Sequence, residues 1–257
     1  MSLIALTRTA HENKSWARYS SYEFAMQQTL AALVASELPK AVMHLPVAFA
    51  RIQDRFHPVA VLSFEENRNL FVTKEGKWIG GYIPAGFRAF PFALANTEND
   101  EKILCFEDSS GLLVDGAEGE PFFDSEGNPS ASTKQVLDFL QQVDADRQRT
   151  DTMCASLGKH DVIEPWPINL KTGAGEKNVE GLFRINENAL NDLPDEAFLE
   201  IRRSGALAMA YMQLLSMTHL PLIGKLYEAH AANEAALKNL GNEIFQMPQN
   251  DELNFNF

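Results

Sequence analysis

The sequence predicts an α+β protein in which an antiparallel β-sheet in the N-terminal half packs against long helices from the C-terminal half. Short apolar runs follow one another between residues 46 and 106, separated by turn residues and without a helical stretch between them, which favours antiparallel strands. Two long stretches with helical periodicity or uniform apolarity, residues 132–157 and 196–220, predict the helices that cover this sheet.

Composition and charge exclude some partners. The chain has 257 residues, 45% of them hydrophobic, which is enough to bury the core of one large domain or two small ones. Its 22 basic and 35 acidic residues give a formal charge of −13. Nucleic acids and anionic membranes bind clustered Lys and Arg, so this balance predicts neither as a partner.

The apolar runs predict a cytoplasmic protein without a membrane span. Residues 1–16 lack the apolar core and the small-residue cleavage site of a secretory signal. The most apolar run, Gly205 to Leu220, contains Gln213 and His219 and is shorter than the ~20 residues that a membrane-spanning helix needs. Cys105 and Cys154 match no metal or redox spacing, and two buried thiols are favoured over a disulfide.

The N-terminal residues predict an arm, a helix and a hairpin. Residues 1–14 are interpreted as a flexible polar arm. Gln27 to Glu37 predict a helix, whereas Tyr19 to Phe24 are also compatible with extended chain. Pro46 to Ala50 and Val59 to Phe64 are rich in β-forming residues and predict the two strands of a hairpin.

Three further strands complete the predicted sheet. Leu70 to Thr73 and Lys77 to Ile83 pair through a flexible turn at Gly76, and Lys102 to Phe106 form the fifth strand. An acidic, turn-rich segment follows over residues 107–130. Its acidic residues do not follow the D-x-[DN]-x-[DN]-G order of an EF-hand, so a solvated loop is favoured over a calcium site.

Within this acidic segment, Gly116 and Gly127 predict tight turns, and Pro121 to Phe123 predict a short edge element between them. The clearest helix follows, from Ser130 to Leu157, with Ser132 as a possible cap. Its apolar stripe at helical spacing consists of Val136, Phe139, Leu140 and Val143.

The chain after this helix predicts short elements. Gly158 can end the helix, and Val162 to Ile168 predict extended chain because prolines flank Trp166. Thr172 to Glu176 is glycine-rich without the order of a phosphate loop and predicts a surface turn. Gly181 to Asn186 then predict a strand.

The last third of the chain predicts helices. Glu187 to Leu193 predict a short turn or helix, and Glu196 to Leu220, apolar on nearly all faces, predict a long buried helix that Pro221 kinks or stops. Leu222 to Leu240 predict a second, polar-faced helix before a tail, residues 241–257. The tail ends in a strict alternation of apolar and polar residues, which can extend a sheet edge of this chain or of a partner.

The stretch from Lys77 to Phe92 supplies the candidate binding residues, Trp78, Tyr82, Arg88 and Phe90. An arginine among aromatic rings can clamp a carboxylate or phosphate, or stack on a ring. Alternatively, Arg88 bonds nearby backbone carbonyls and locks the loop. Trp78 and Tyr82 belong to the core or, if their face is open, to a binding platform.

Motifs for catalysis or metal binding are absent from the sequence. The six histidines form no H-x-D or H-E-x-x-H pair, and His160-Asp161 is the nearest approach to a metal signal. No G-x-S-x-G nucleophile elbow occurs. We therefore expect no metal and no cofactor, and assign no catalytic residue.

Five stretches resemble the SapC family. They are Pro46 to Phe49, Asn69 to Val72, Gly76 to Ala85, Arg88 to Phe92, and Gly181 to Glu187. The resemblance runs from about residue 46 to residue 220 and bridges both halves, which implies a single domain over residues 1–257. It is not to the peptide-uptake permease of the same name, because that protein spans the membrane many times.

The family is known from a gene beside a bacterial surface-layer protein. Its members recur in Gram-negative gene neighbourhoods with outer-membrane TonB-dependent receptors and tryptophan-halogenase-like proteins. The resemblance thus implies a bacterial protein linked to a surface or receptor system, and it implies no catalytic residue.

Two functions remain open. The preferred one is a non-catalytic cytoplasmic accessory or binding protein that engages a protein partner or a small ligand through its aromatic segment. The alternative is an enzyme of unknown reaction acting with a neighbouring halogenase- or oxygenase-like protein. A concave pocket that holds Arg88 beside a carboxylate or histidine of strongly shifted pKa would favour the enzyme, and a flat aromatic patch the binder.

Overall fold

A computed structural model describes residues 2–97, 99, 101–116, 118–172 and 175–245. Its strands are β1 Leu3–Ala5, β2 Lys14–Trp16, β3 Leu30–Ala32, β4 Val47–Ile52, β5 Arg55–Val61, β6 Phe92–Asn96, β7 Lys102–Glu107, β8 Leu113–Asp115, β9 Glu120–Pro121, β10 Ile163–Pro165, β11 Ile168–Thr172, β12 Gly175–Val179 and β13 Leu182–Ile185. Its helices are α1 Arg8–His11, α2 Leu38–Ala41, α3 Ala85–Arg88, α4 Ala131–Lys159, α5 Glu187–Asn191, α6 Asp195–Ser204, α7 Ala206–Ser216 and α8 Leu220–Phe245.

The central sheet has five strands in the order β10-β13-β4-β5-β3, and each neighbouring pair is antiparallel. Side chains alternate between its faces, so that Val47 and Phe49 lie in the main core and Ala48 lies in a smaller cluster on the other face. Gln53 and Asp54, both at positive φ, form the tight turn between β4 and β5. The predicted hairpin is therefore confirmed.

Helices α4, α6 and α7 cover one face of this sheet. Leu157, Ile201 and Met209 are their buried contributions to the main core. Gln213 on α7 is also buried, and its amide donates to the carbonyl oxygen of Val47 at 3.0 Å and accepts from the Ile185 N–H at 2.9 Å. A buried polar side chain with both functions paired stabilises the docking of α7 on the sheet.

Two small sheets, β1-β7-β6 and β8-β2-β9, surround a second hydrophobic cluster that includes Trp16, Phe106 and Phe122. Helix α4 has 29 residues, a length of roughly 44 Å. It contributes Leu140 to this second cluster and Leu157 to the main core. The single-domain assignment stays a prediction, and α4 is the element that joins the two cores.

The α+β class and most of the long elements are confirmed. The predicted helix begins at Ala131, although Ser130 and not Ser132 caps it by accepting from the Thr133 N–H at 3.2 Å. The extended chain near Trp166 corresponds to β10 and β11, and the strand over residues 181–186 corresponds to β13. Of the glycine-rich turn at 172–176, residues 173 and 174 lie outside the described residues.

The prediction of a flexible arm over residues 1–14 is wrong. Strand β1 pairs with β7, and the Ser2 N–H donates to the Glu107 carboxylate at 2.6 Å. The helix over residues 27–37 is also wrong, because this stretch contains β3 at the edge of the central sheet. In both places pairing with a distant strand outweighs the weak local preference of the sequence.

The predicted third and fourth strands reduce to one isolated bridge, Val72 with Trp78, closed by a turn at Gly76 with φ of 71°. Beyond this bridge the chain packs closely on His44, because a Cβ at Gly81 would lie 2.4 Å from Nδ1 of His44, a space that only glycine fits. The predicted fifth strand is β7, which lies in the β1-β7-β6 sheet and not in the central one.

The long helix predicted over residues 196–220 is two helices. Gly205, at φ of 81°, ends α6 and precedes α7. Pro221, predicted to kink or stop this helix, does not stop the helical chain, because it occupies the first turn of α8, where proline is tolerated. Helix α8 continues to Phe245, and the alternation at Leu253 to Phe257 lies outside the described residues.

One helical stretch among the described residues, Ala206–Ala236, is long and apolar enough to cross a membrane by length and composition alone. A third of its most apolar window (33%) is buried in the protein. Core helices of other proteins pass the same test, so the expectation of no membrane span stays a prediction.

Candidate ligand-binding groove

An open groove of about 460 Å³ lies where three segments of the chain meet. They are the stretch from Trp16 to Tyr22, the stretch from Arg88 to Phe92, and the N-terminal turns of α4. We call this cavity the arginine–aromatic groove. Its aromatic lining consists of Trp16, Tyr19, Tyr22, Phe90, Phe92 and Phe139. Its other lining residues are Arg18, Arg88, Ala89, Ser132, Gln135 and Val136.

A buried carboxylate fixes the segment that carries Arg88. Glu37 is 5% exposed, and its Oε1 accepts from the Ala85 N–H at 2.6 Å and from the Tyr82 hydroxyl at 2.8 Å. Its Oε2 accepts from the Val34 N–H at 3.1 Å. The carboxylate thus holds the start of α3, and Arg88 lies at the end of this one-turn helix.

The Arg88 guanidinium is held along one edge. Its Nε donates to the carbonyl oxygen of Ile83 at 3.1 Å, and its Nη2 donates to the Tyr82 hydroxyl at 3.3 Å. Its plane lies near the ring of Phe139, with Cζ 4.9 Å from the ring centroid. The nearest carboxylate, that of Glu37, is 3.8 Å from Nη2. The side chain is 42% exposed and faces the groove.

Edge and face contacts between rings position the aromatic lining. Phe90 stacks on Phe24, with ring centroids 3.8 Å apart and 7° between the planes. Tyr19 packs edge-on against both of these rings and against Tyr22, at centroid distances of 5.3 to 6.0 Å. Each of these rings is partly buried against its neighbours and keeps part of its surface exposed.

Burial keeps the nearby phenols protonated. It raises the pKa of Tyr19 well above the usual 10.0, with a further contribution from Tyr22 and an opposing one from Arg88. Burial and the hydrogen bond to Glu37 raise the pKa of Tyr82 in the same direction. Both groups are therefore hydroxyls at neutral pH, able to donate hydrogen bonds and unsuited to act as bases.

Arg18, the second arginine of the groove, is already paired. Its Nε donates to the carboxylate of Glu120, and the side chain is 70% exposed. This hydrogen bond, with a smaller one from Ser132, lowers the pKa of Glu120 against the opposing effect of burial. Arg18 and Glu120 therefore form a neutral pair at this part of the groove.

The structure divides the four predicted site residues into two pairs. Arg88 and Phe90 line the groove. Tyr82 lies behind Arg88 and supports it through the hydroxyl contact. Trp78 does not line the groove; it stacks on Phe71 at 5.6 Å and lies behind Tyr22, with ring centroids 5.9 Å apart. Arg88 shows both features that the sequence left open, because it bonds a backbone carbonyl and also keeps an exposed edge.

The sequence analysis missed two of the three segments that line the groove. Arg18, Tyr19 and Tyr22 supply one wall, and Phe139 of α4 supplies another. A signal was present, since Arg18 to Phe24 repeats the combination of one arginine among aromatic residues that singled out Lys77 to Phe92. Phe139 was assigned to the apolar core stripe of its helix, and it is partly exposed.

Other candidate chemistry is sparse. Within the described part of the chain, no three His, Cys, Asp or Glu residues come together as a possible metal site. Cys105 and Cys154 are free and buried, as predicted, and burial with the nearby Asp151 raises the pKa of Cys154 to about 12. A second cavity of about 390 Å³ contains Glu164 and Arg184, which pair with each other at 2.8 Å.

Comparison with known proteins identifies a family. The family model described as SapC matches residues 6–222, a longer stretch than the 46–220 of the sequence resemblance. No curated protein and no solved structure matches the chain. The matched residues include strands β2 to β13, helix α4 and every residue that lines the arginine–aromatic groove. This chain therefore belongs to the SapC family.

Proposed function

We propose that this protein is a non-catalytic binding protein that receives a small ligand, or a side chain of a protein partner, in the arginine–aromatic groove. The observation that carries the proposal is the groove itself. Three segments far apart in sequence bring partly exposed rings and an arginine with an open edge to one cavity of about 460 Å³. Cavities of this size and mixed apolar and polar lining are typical of small-molecule sites.

The lining chemistry supports binding over catalysis. The residues of the groove offer guanidinium, phenol, hydroxyl and amide groups, and no carboxylate, imidazole or thiol is among them. The phenol of Tyr19 is protonated at neutral pH, and burial raises its pKa further above the usual 10.0. The cavity is concave, as an enzyme would require, but it presents rings and hydrogen-bond donors rather than an acid–base pair.

The cellular setting follows the family. We propose that the protein is cytoplasmic and serves a bacterial surface or outer-membrane-receptor system as an accessory component.

A blocking substitution tests the proposal. Gln135 is exposed on α4 and lines the groove, so Gln135→Trp fills the cavity without altering the core. Gln141→Trp places the same side chain at an exposed position of the same helix outside the groove and is the matched control. Tagged wild type and both variants are incubated with extract of the native cells, and the retained small molecules and proteins are identified by mass spectrometry.

We expect the same specific ligand or partner on wild type and on Gln141→Trp, with at least a tenfold reduction on Gln135→Trp. Equal retention by all three proteins would show that the groove does not bind the retained ligand or partner. Circular dichroism spectra and melting temperatures establish that both variants are folded.

A further inference from the structure

We propose that the ligand of the arginine–aromatic groove is an aromatic acid. Its carboxylate accepts two hydrogen bonds from Arg88, and its flat ring lies against Phe90 and Tyr19. This inference rests on the proposed function and adds the chemical class of the ligand to it.

The hydrogen bonds of Arg88 define where the carboxylate binds. A guanidinium has five N–H donors. The acceptors on Ile83 and Tyr82 occupy the edge formed by Nε and Nη2. The other edge, formed by Nη1 and Nη2, has no hydrogen-bond partner among the described residues. Two parallel N–H groups on a planar edge match the two oxygens of a carboxylate, which is the strongest pairing that arginine makes.

The contacts around Arg88 also restrict its motion. The Phe139 ring lies on one face at 4.9 Å, and the Ile83 carbonyl fixes Nε. Glu37 lies beyond hydrogen-bond distance at 3.8 Å, and its oxygens already accept from three other donors. The free edge is therefore presented in a defined direction, and its positive charge is only partly offset.

Arg18 does not offer the same site, although it lines the same groove. Its guanidinium is paired with Glu120, which sits beside Ser132 in the first turn of α4. Arg88 lies over Phe139, seven residues further along the helix, a rise of roughly 10 Å. The two arginines are thus well separated, and one of them is already neutralised. An anion in this groove is expected at Arg88.

The surroundings favour a ring beside that anion. Phe90 is fixed by its stack on Phe24, and Tyr19 is fixed by its edge contacts to both. Flat aromatic ligands gain offset-stacked or edge contacts from such rings.

The net charge of −13 does not prevent an anion from binding here. Acidic groups elsewhere on the surface are screened, because the screening length is about 8 Å at physiological salt, whereas Arg88 contacts the anion directly.

Four probes separate the contributions of charge and ring. Isothermal titration calorimetry measures the binding of 2-naphthoate, 2-naphthamide, cyclohexanecarboxylate and 2-naphthyl phosphate to the full chain. The amide keeps the ring and removes the charge, and the cyclohexane acid keeps the charge and removes the flat ring. We expect 2-naphthoate to bind at least tenfold more tightly than the amide and the cyclohexane acid.

Variants locate the site. We expect Arg88→Met and Gln135→Trp each to weaken 2-naphthoate at least tenfold, Arg88→Lys to weaken it by a smaller factor, and Gln141→Trp, outside the groove, to change it less than threefold. Gln135→Trp leaves every arginine in place. It therefore locates the site in the groove even if Arg88→Met fails to fold.

Several results would overturn the inference. Equal affinity for 2-naphthoate and its amide, with both lost in Gln135→Trp, would refute the acid while leaving the groove as a binding site. If 2-naphthyl phosphate binds tenfold more tightly than 2-naphthoate, the anionic group of the ligand is a phosphate and not a carboxylate. If none of the probes gives binding that Gln135→Trp reduces, the aromatic acid is wrong, and the mass-spectrometry experiment decides the proposed function separately.

Discussion

At the scale of single residues, Glu37 determines the position of Arg88. Its carboxylate accepts from the N–H groups of Val34 and Ala85 and from the Tyr82 hydroxyl, which in turn contacts Arg88. Removal of a buried acceptor of this kind lowers the free energy of unfolding by more than one hydrogen bond contributes, because its donors are then left without partners. The free edge of Arg88 therefore depends on a residue outside the groove.

Substitution of Glu37 tests this dependence. We expect Glu37→Ala to lower the free energy of unfolding by about 3 kcal/mol, because three donors lose their acceptor, and Tyr82→Phe to lower it by about 1 kcal/mol, because one hydrogen bond is lost. Urea denaturation followed by circular dichroism measures both values. A loss for Glu37→Ala no larger than that for Tyr82→Phe would show that the other two donors find new partners.

Glu120 gives a residue-scale prediction for pH. Its pKa is lower in the folded chain than the usual 4.5, chiefly through Arg18, so the folded state binds this proton less readily than the unfolded chain. The contribution to stability is therefore present above pH 4.5 and is lost as the pH falls through the folded pKa. Because Arg18 is 70% exposed, we expect it to be only about 0.5 kcal/mol.

The measurement is a double-mutant cycle of Arg18→Gln and Glu120→Gln at pH 7 and again at acid pH. The coupling free energy between the two positions should be favourable at pH 7 and approach zero in acid. A coupling that stays constant over this range would mean that the carboxylate is not the group responsible.

At the scale of elements, the sequence predicted what local pattern determines. The β4–β5 hairpin and α4 depend on residues close in sequence, and both were found. Strands β1 and β3 were missed because they are three residues long and pair with strands distant in the chain. Their short sequences contain too little periodicity to distinguish a strand from a coil.

The residues of the groove also divide into those that local sequence predicts and those that depend on distant pairing. Arg88 and Phe90 lie in a stretch of unusual composition, so they were found. Tyr19 and Tyr22 reach the groove only because β2 is held between β8 and β9, a pairing across about a hundred residues. The composition of Arg18 to Phe24 marks these rings as unusual, but it does not report that they meet Arg88.

Gly205 provides a prediction at this scale. It separates α6 from α7 at φ of 81°, and a Cβ there would lie 2.7 Å from Cε of Met153. We expect Gly205→Ala to lower the free energy of unfolding by about 2 kcal/mol, from the disfavoured backbone conformation and from the contact with α4. Thermal unfolding followed by circular dichroism gives the value.

Gly224→Ala is the matched control. Gly224 lies in α8, and a Cβ added there would meet no atom within 4 Å, so alanine should stabilise the helix by about 0.5–1 kcal/mol. Opposite signs for the two substitutions are expected. If Gly205→Ala were neutral or stabilising, α6 and α7 would be able to merge into the single helix that the sequence suggested.

At the scale of the whole molecule, α4 connects the main core with the second hydrophobic cluster and forms one wall of the groove. Its first turns line the cavity, Leu140 packs in the cluster around Phe106, and Leu157 packs in the main core. A helix shared in this way transmits the loss of either cluster to the other. The protein should therefore unfold as one cooperative unit, and the groove should disappear in the same transition.

Two truncations of α4 side chains test this cooperativity. Leu157→Ala, fully buried in the main core, should cost about 3 kcal/mol, and Leu140→Ala, at the margin of the second cluster, about 2 kcal/mol. Far-ultraviolet circular dichroism and tryptophan fluorescence should report one coincident transition in each variant, and the fluorescence samples both regions because Trp16 lies in the second cluster and Trp78 packs against the main core. Two separate transitions, with Leu140→Ala moving only one, would make α4 a connector between two independently stable units. Binding to the groove would then survive damage to the main core.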